Sequence, residues 1–133
     1  MALSVEAALD TLRAVGEETR LRIVLLLQHG ELSVSDLTEL LGQSQPRISR
    51  HLKLLLEAGV VDRHREGTRV YIGLNRSGPI RTLVDDVLAE TDPHDPVAAG
   101  DLDRLGLLHQ RRTTTAQQYF ADIARSWDEV RSL

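Results

Sequence analysis

A mainly α chain with a small β-hairpin is what this sequence predicts, on three observations. Apolar residues recur at helical spacing through most of the 133 positions. After Gly59 the pattern changes to alternation around a glycine turn, the mark of two paired strands. There is no cysteine, internal repeat or low-complexity tract to suggest another scaffold, and a 41% hydrophobic share suits one core of ordinary size.

The first helix is expected over Leu3 to Val15, where Val5, Ala8, Leu9, Leu12 and Val15 share a face. Glu18 to Gln28 follows, so apolar around its circumference that it belongs at the centre of a core, with Gly30 at its left-handed end. Ser33 then caps a helix, with Asp36 in a capping-box position, and that helix buries Leu37, Leu40 and Leu41 before Gly42 stops it. Ser44 caps the next, which has Pro46 in its first turn and runs through Ile48, Leu52, Leu55 and Leu56 to Gly59. Two short helices joined by a glycine-containing turn make a helix-turn-helix. Val60 to Arg65 and Arg69 to Leu74 then read as strands around Glu66-Gly67-Thr68, and a hairpin in that place is a wing. Pro79 opens another helix, with a stripe of Ile80, Leu83, Val84, Val87 and Leu88. Asp92 to Gly100, with two prolines and a glycine, reads as a linker. Helices are expected over Asp101 to Arg112 and again over Thr115 to Arg131, the last with Ala116, Tyr119, Phe120, Ile123, Ala124, Trp127 and Val130 in register.

Composition excludes several kinds of function. Without cysteine there is no disulfide scaffold, thiolate nucleophile, Cys-based zinc site or thiol switch. No apolar run approaches the ~20 residues of a membrane helix, and the N-terminus lacks a signal pattern, so a cytoplasmic protein with no membrane partner is expected. No Ser/His/Asp set is grouped by motif and no glycine-rich loop follows a strand, so neither an enzyme nor a bound cofactor is expected. The net charge of −4 is unevenly spread. From Ser44 to Arg76, seven cations face three carboxylates, a balance of +4 that leaves −8 for the remainder. An acidic chain with one basic stretch has a localised electropositive face.

That face has a chemistry. Rotating the helix from Gln45 by about 100° per residue puts Ile48, Leu52 and Leu55 inside and Pro46, Arg47, Ser49, Arg50 and Lys53 outside. Such a helix can enter the major groove of double-stranded DNA. Arg47 and Arg50 can pair with guanine and Gln45 with adenine, while Ser44, Ser49 and Lys53 suit phosphate oxygens. His51, at the edge of the core side, suits packing or a phosphate hydrogen bond. Arg65, Thr68 and Arg69 at the wing tip are placed for backbone or minor groove. A solvated polar face is the plain alternative, but turn spacing, helix length, basic bias and wing coincide.

Three stretches resemble one family. Glu18 to Leu27 is similar to the second helix of ArsR/SmtB-family repressors. Leu40 to Leu55 (Leu-Leu-Gly-Gln-Ser-Gln-Pro-Arg-Ile-Ser-Arg-His-Leu-Lys-Leu-Leu) resembles their recognition segment, and Glu57 to Ile72 their wing. The resemblance runs over residues 3–90 in the family's order. It implies a winged helix-turn-helix with N- and C-terminal dimerisation helices, acting as a homodimeric repressor on an inverted-repeat operator and released by a small-molecule effector. It also implies an interface built from the first and the post-wing helices, here Val5, Leu9 and Leu12 with Leu83, Val84, Val87 and Leu88. Their apolar stripes exceed what one small core needs, which supports that interface independently.

Metal sensing of the family's thiolate kind is excluded. A hard-ligand zinc site needs histidines and carboxylates along the post-wing helix, which offers Asp85, Asp86 and Glu90 without a histidine. Asp92, His94, Asp95 and His109 do not match the family's spacing, so no metal site is expected, and a zinc-sensing repressor stands only as an alternative. His64, on the first wing strand, reads as an exposed strand residue. Tyr119, Phe120 and Trp127 form a stripe read as packing on the domain or across a dimer, or else as docking another domain or lining an effector pocket. Gln118 to Leu133 resembles the lead-in to the catalytic domain of proteins that fuse an ArsR-type regulator to an S-adenosylmethionine-dependent methyltransferase. That second resemblance implies the alternative of a regulatory module in such a fusion, with an effector such as S-adenosylhomocysteine. The expected organisation is a DNA-binding and dimerisation domain over residues 1–91, a linker over 92–100 and a helical extension over 101–133.

Overall fold

The computed structural model describes residues 1–131, with side chains through residue 127. Val130, expected in the last apolar stripe, lies outside the described side chains, as do Ser132 and Leu133 from the second resemblance. The elements run α1 (Val5–Val15), α2 (Glu18–Leu27), β1 (Leu32–Ser33), α3 (Val34–Leu41), α4 (Gln45–Glu57), β2 (Val61–Glu66), β3 (Arg69–Leu74), α5 (Pro79–Ala89) and α6 (Pro96–Arg131). They divide into two compact units, Met1–Asp101 and Leu102–Leu133.

The first unit is a winged helix-turn-helix. Local signals set its helix ends. Ser4 Oγ accepts from the Ala7 amide, so α1 begins at Val5, two residues after the expected start. Ser33 and Asp36 close the expected capping box at 3.0 Å each way, and Gly42, with φ of 62°, ends α3 in the left-handed conformation. The core forms around α2, whose Ile23, Val24, Leu26 and Leu27 are buried with Leu37 and Leu40 of α3 and Ile48, Leu52 and Leu55 of α4. Full burial of each large apolar side chain contributes about 1.5–3 kcal/mol.

The sheet adds a strand to the expected hairpin. Its order is β1-β3-β2, all antiparallel, with Leu32 opposite Ile72 and Ser33 opposite Tyr71. In the hairpin Arg63 faces Ile72, His64 faces Tyr71 and Arg65 faces Val70, around a turn at Gly67-Thr68. Strand alternation therefore puts Arg63 and Arg65 on the face that carries buried Ile72, and Asp62, His64 and Glu66 on the other.

Two expectations are corrected near the C-terminus. The stretch expected as a linker is helical from Pro96, because Asp95 Oδ2 accepts from the amides of Val97 and Ala98. Pro96 is a first-turn proline, which needs no N–H. The two helices expected beyond residue 100 are also one, since Thr113 and Thr115 donate to the carbonyls of His109 and Arg111 and so stay within the helix. In the second unit, described by itself, Tyr119, Phe120 and Trp127 are exposed, and Tyr119 meets Phe120 edge-on at 5.9 Å. Among the described residues no helix is long and apolar enough to cross a membrane.

Candidate nucleic-acid interface

Helix α4 presents the site. Ser44 Oγ accepts from the Arg47 amide at 3.4 Å, and Pro46 occupies the first turn. With Ile48, Leu52 and Leu55 buried, amphipathic geometry sends Gln45, Arg47, Arg50 and Lys53 to solvent, as the helical rotation predicts. Ser49 is half-buried and takes a hydrogen bond from Gln45 Nε2 at 2.7 Å. Lys53 lies 3.9 Å from Glu57 one turn on, a contact of little worth between two exposed groups. On the wing Arg65, Thr68 and Arg69 are all exposed. Between α4 and the wing runs a groove of about 570 Å³, lined by Ser35, Thr38, Gln45, Ser49, Arg63 and Arg69 among others.

Paired arginines contrast with those on α4 and the wing. Arg22, Arg81 and Arg125 pair with Asp101, Asp85 and Asp122. The side chains of Arg47, Arg50, Arg63, Arg65 and Arg69 have no hydrogen bond or ion pair with any described residue. Cations left without carboxylates on α4 and the wing are free to neutralise an external anion. Arg63, which lines the groove between them, is not among the expected site residues. Counting by two from Val61 along β2 is the signal that could have found it.

His51 is placed differently from the other α4 residues. It is half-buried, and Arg20 Nη1 lies 3.2 Å from its Nδ1. A guanidinium only donates, so in the neutral ring Nδ1 accepts and Nε2 carries the hydrogen. Arg20 also donates to the carbonyls of Ala14 and Arg13, which ties the end of α1 to α4. Glu17 caps α2 beside this cluster, accepting from the Arg20 amide at 3.0 Å, with Oε2 3.6 Å from His51 Nδ1. Burial works against its charge. The amides of Arg20 and Thr19, with the charges of His51 and Arg20, outweigh that and hold its carboxyl below the ordinary glutamate range. A carboxylate with a lowered folded pKa stabilises above its unfolded value and loses that contribution as pH falls through the folded one. Glu17→Gln is therefore expected to lower Tm near neutrality, with the gap to wild type closing below the ordinary glutamate range. Thermal unfolding across that acid window checks it, and a gap independent of pH counts against it.

The far face of the wing has its own contacts. His64 stacks on Tyr71 at 5.7 Å and lies 3.3 Å from Glu31, so it is more than a bare exposed strand residue. Glu31 reaches it across β3 at Gly73, where a Cβ would meet Glu31 Cγ at 2.9 Å. A side chain at that position would push Glu31 off this path.

The expected interface residues separate by burial. Val5, Leu9 and Leu12 are exposed at 79%, 43% and 45%. Leu83 and Val87 are half-buried, whereas Val84 and Leu88 are covered within the chain at 1% and 4%. The α5 stripe is wider than one contact surface, and its inner half is interior. Between the N-terminal residues and α5 lies a groove of about 600 Å³, which includes Leu3, Ala8, Pro79, Thr82, Leu83 and Asp86. Asp92 and Asp95, weighed as metal donors, accept instead from the backbone amides of His94 and of Val97 and Ala98. Among the described residues no group of three His, Cys, Asp or Glu gathers.

Residues 17–63 match the family described as "Bacterial regulatory protein, arsR family". The arsenical resistance operon repressor of Escherichia coli is 50% identical over 64 residues, covering 47% of this chain and 55% of that protein. The chain thus spans about half the length of that relative. An HTH-type transcriptional regulator of Methanocaldococcus jannaschii is 39% identical over 85 residues, 62% of this chain and 96% of its own. Among solved structures, the homodimeric winged helix-turn-helix DNA-binding domain of Mb0332 from Mycobacterium bovis, a possible ArsR-family regulator, superposes with a TM-score of 0.59 at 27% identity, over 71% of this chain and 93% of that one. Fold, recognition segment and wing agree with these matches, and the chain belongs to the ArsR family of bacterial regulatory proteins.

Proposed function

We propose that this protein is a homodimeric, sequence-specific transcriptional repressor that binds an inverted-repeat operator in double-stranded DNA and is released by a small effector. One observation carries the reading: five arginines without carboxylate partners on α4 and the wing, two of them, Arg63 and Arg69, lining the groove between these elements. Helix α4 enters the major groove, where Gln45, Arg47 and Arg50 meet base edges. Ser44, Ser49 and Lys53 hold phosphates, and His51 has its Nε2 hydrogen left to offer one. Arg65, Thr68 and Arg69 follow the backbone or the adjacent minor groove. Residues 1–91 carry DNA binding and dimerisation, while 101–133 form the extension. The repressor named among the relatives and the homodimer among the structures support the sign of regulation and the assembly. Release by an effector follows from the family resemblance.

Two substitutions test it by titration of the purified protein on fragments of its own promoter region. Arg50→Ala is expected to cost about 1–3 kcal/mol on the specific fragment, with relaxed sequence preference. Lys53→Ala is expected to weaken all sequences alike and to reduce the salt slope by about 1 per protomer, so about 2 for the dimer. If neither changes affinity, α4 is not the recognition helix. Repeating the titration with zinc, a chelator and S-adenosylhomocysteine identifies which class of effector releases the DNA.

A further inference from the structure

We infer that Arg63 is a further DNA-contacting residue, bound to a backbone phosphate on the strand that passes between α4 and the wing. The inference rests on the DNA-binding reading and adds a residue and a role to it. Arg63 sits in the middle of β2, opposite Ile72 in the ladder, on the sheet face turned toward α4. Its side chain lines the groove with Ser49 and Gln45, and also the adjoining one with Lys53 and Leu56. It is exposed and has no partner among the described residues, although Glu57 lines the same adjoining groove. That carboxylate lies instead beside Lys53.

Geometry decides what Arg63 meets. A helix in the major groove and a wing tip at the adjacent minor groove are separated on B-DNA by one sugar-phosphate strand. A residue on the floor between the two protein elements faces that strand and not the base edges on either side. A guanidinium there can give two parallel hydrogen bonds to one phosphate. Because phosphates carry no sequence information, Arg63 contributes affinity and register, not base choice.

The test uses the full chain on two duplexes, its own promoter fragment and a random one of equal length, titrated over about 50–200 mM salt. Specific binding by the wild type is measured first. A wild type that binds neither duplex overturns the DNA-binding reading, and this inference with it. Given binding, Arg63→Ala is expected to reduce the slope of log K against log salt by about 1.8 on both duplexes, because the dimer loses one phosphate contact in each protomer. Arg63→Lys keeps the slope, and Tm stays at the wild-type value in both variants. A slope unchanged in Arg63→Ala overturns the inference. So does a loss confined to the promoter fragment, which signals base readout, or a loss that tracks a lowered Tm, which signals a structural role.

Discussion

Asp101→Ala is expected to lower the unfolding free energy by about 3 kcal/mol and Tm by roughly 10 °C. Asp101 is 2% exposed and accepts from Nε and Nη2 of Arg22 at 2.9 and 2.8 Å, which joins the start of α6 to α2. Its removal leaves a guanidinium whose side chain is only 18% exposed without its counter-charge. That residual solvent access sets the expectation at the lower end of the range for breaking buried pairs. The hydrogen bond that Arg22 donates to Asp101 is the main influence raising the Arg22 pKa above its ordinary value, against the opposing effect of burial. A cation raised in this way contributes its full stability below the unfolded pKa and loses it only as pH rises through the folded one. For arginine that window lies far above neutrality, so Arg22 adds no pH dependence to the deficit in the physiological range. Replacing both partners with leucine is expected to recover much of the loss, because the desolvation cost of two charges disappears with them. Thermal or urea unfolding of the three variants decides the matter, and an unchanged Tm in Asp101→Ala would falsify the role assigned to the pair.

That pair also marks a boundary in what the sequence discloses. Caps, helix ends and the hairpin are local, and Ser33 with Asp36, Gly42 and the alternation around Gly67 are legible from neighbours alone. β1 is not, since two residues become a strand only by pairing with β3 some forty positions later. Prolines and threonines misled the reading of α6 for a related reason. Pro96 and Thr113 to Thr115 are weak helix formers by propensity, but an Asp95 cap and bonds back to carbonyls make them compatible with one helix.

The candidate site divides along the same line. Gln45, Arg47, Arg50 and Lys53 were legible because one rotation about a helix axis places them. Glu17, Arg20 and His51 were not, because their contact brings together residues 31 positions apart. The α5 stripe shows a third limit. Periodicity finds Leu83, Val84, Val87 and Leu88, but only the packed chain reveals that Val84 and Leu88 are interior. The acidic arm that reaches from Glu31 to His64 depends on Gly73, a residue whose importance lies in the side chain it lacks.

On the proposed reading of a dimeric repressor, Leu12→Asp is expected to make the protein a monomer and to cut affinity for an inverted-repeat operator by about 100-fold or more. Val5, Leu9 and Leu12 follow one another at four and three residues along α1, so they share one exposed apolar face. Water contact on that scale is costly for a free surface and ordinary for an unfilled interface. At 45% exposure, an aspartate in place of Leu12 can keep its charge in solvent in the single chain, so the fold survives. Against a second copy the same carboxylate is desolvated without a partner, a penalty of several kcal/mol met twice across a two-fold axis. The loss on DNA then comes from geometry. Two recognition helices held in one dimer engage the second half-site at high effective concentration, and separated chains do not. Sedimentation reads the assembly, and titration on whole and half operators reads the consequence. The expected pattern is a folded monomer that binds a half-site as the wild type does and gains little from the second. A variant that stays dimeric with full operator affinity places the interface elsewhere than α1. A monomer that keeps full affinity places the interface on α1 but separates dimerisation from operator recognition.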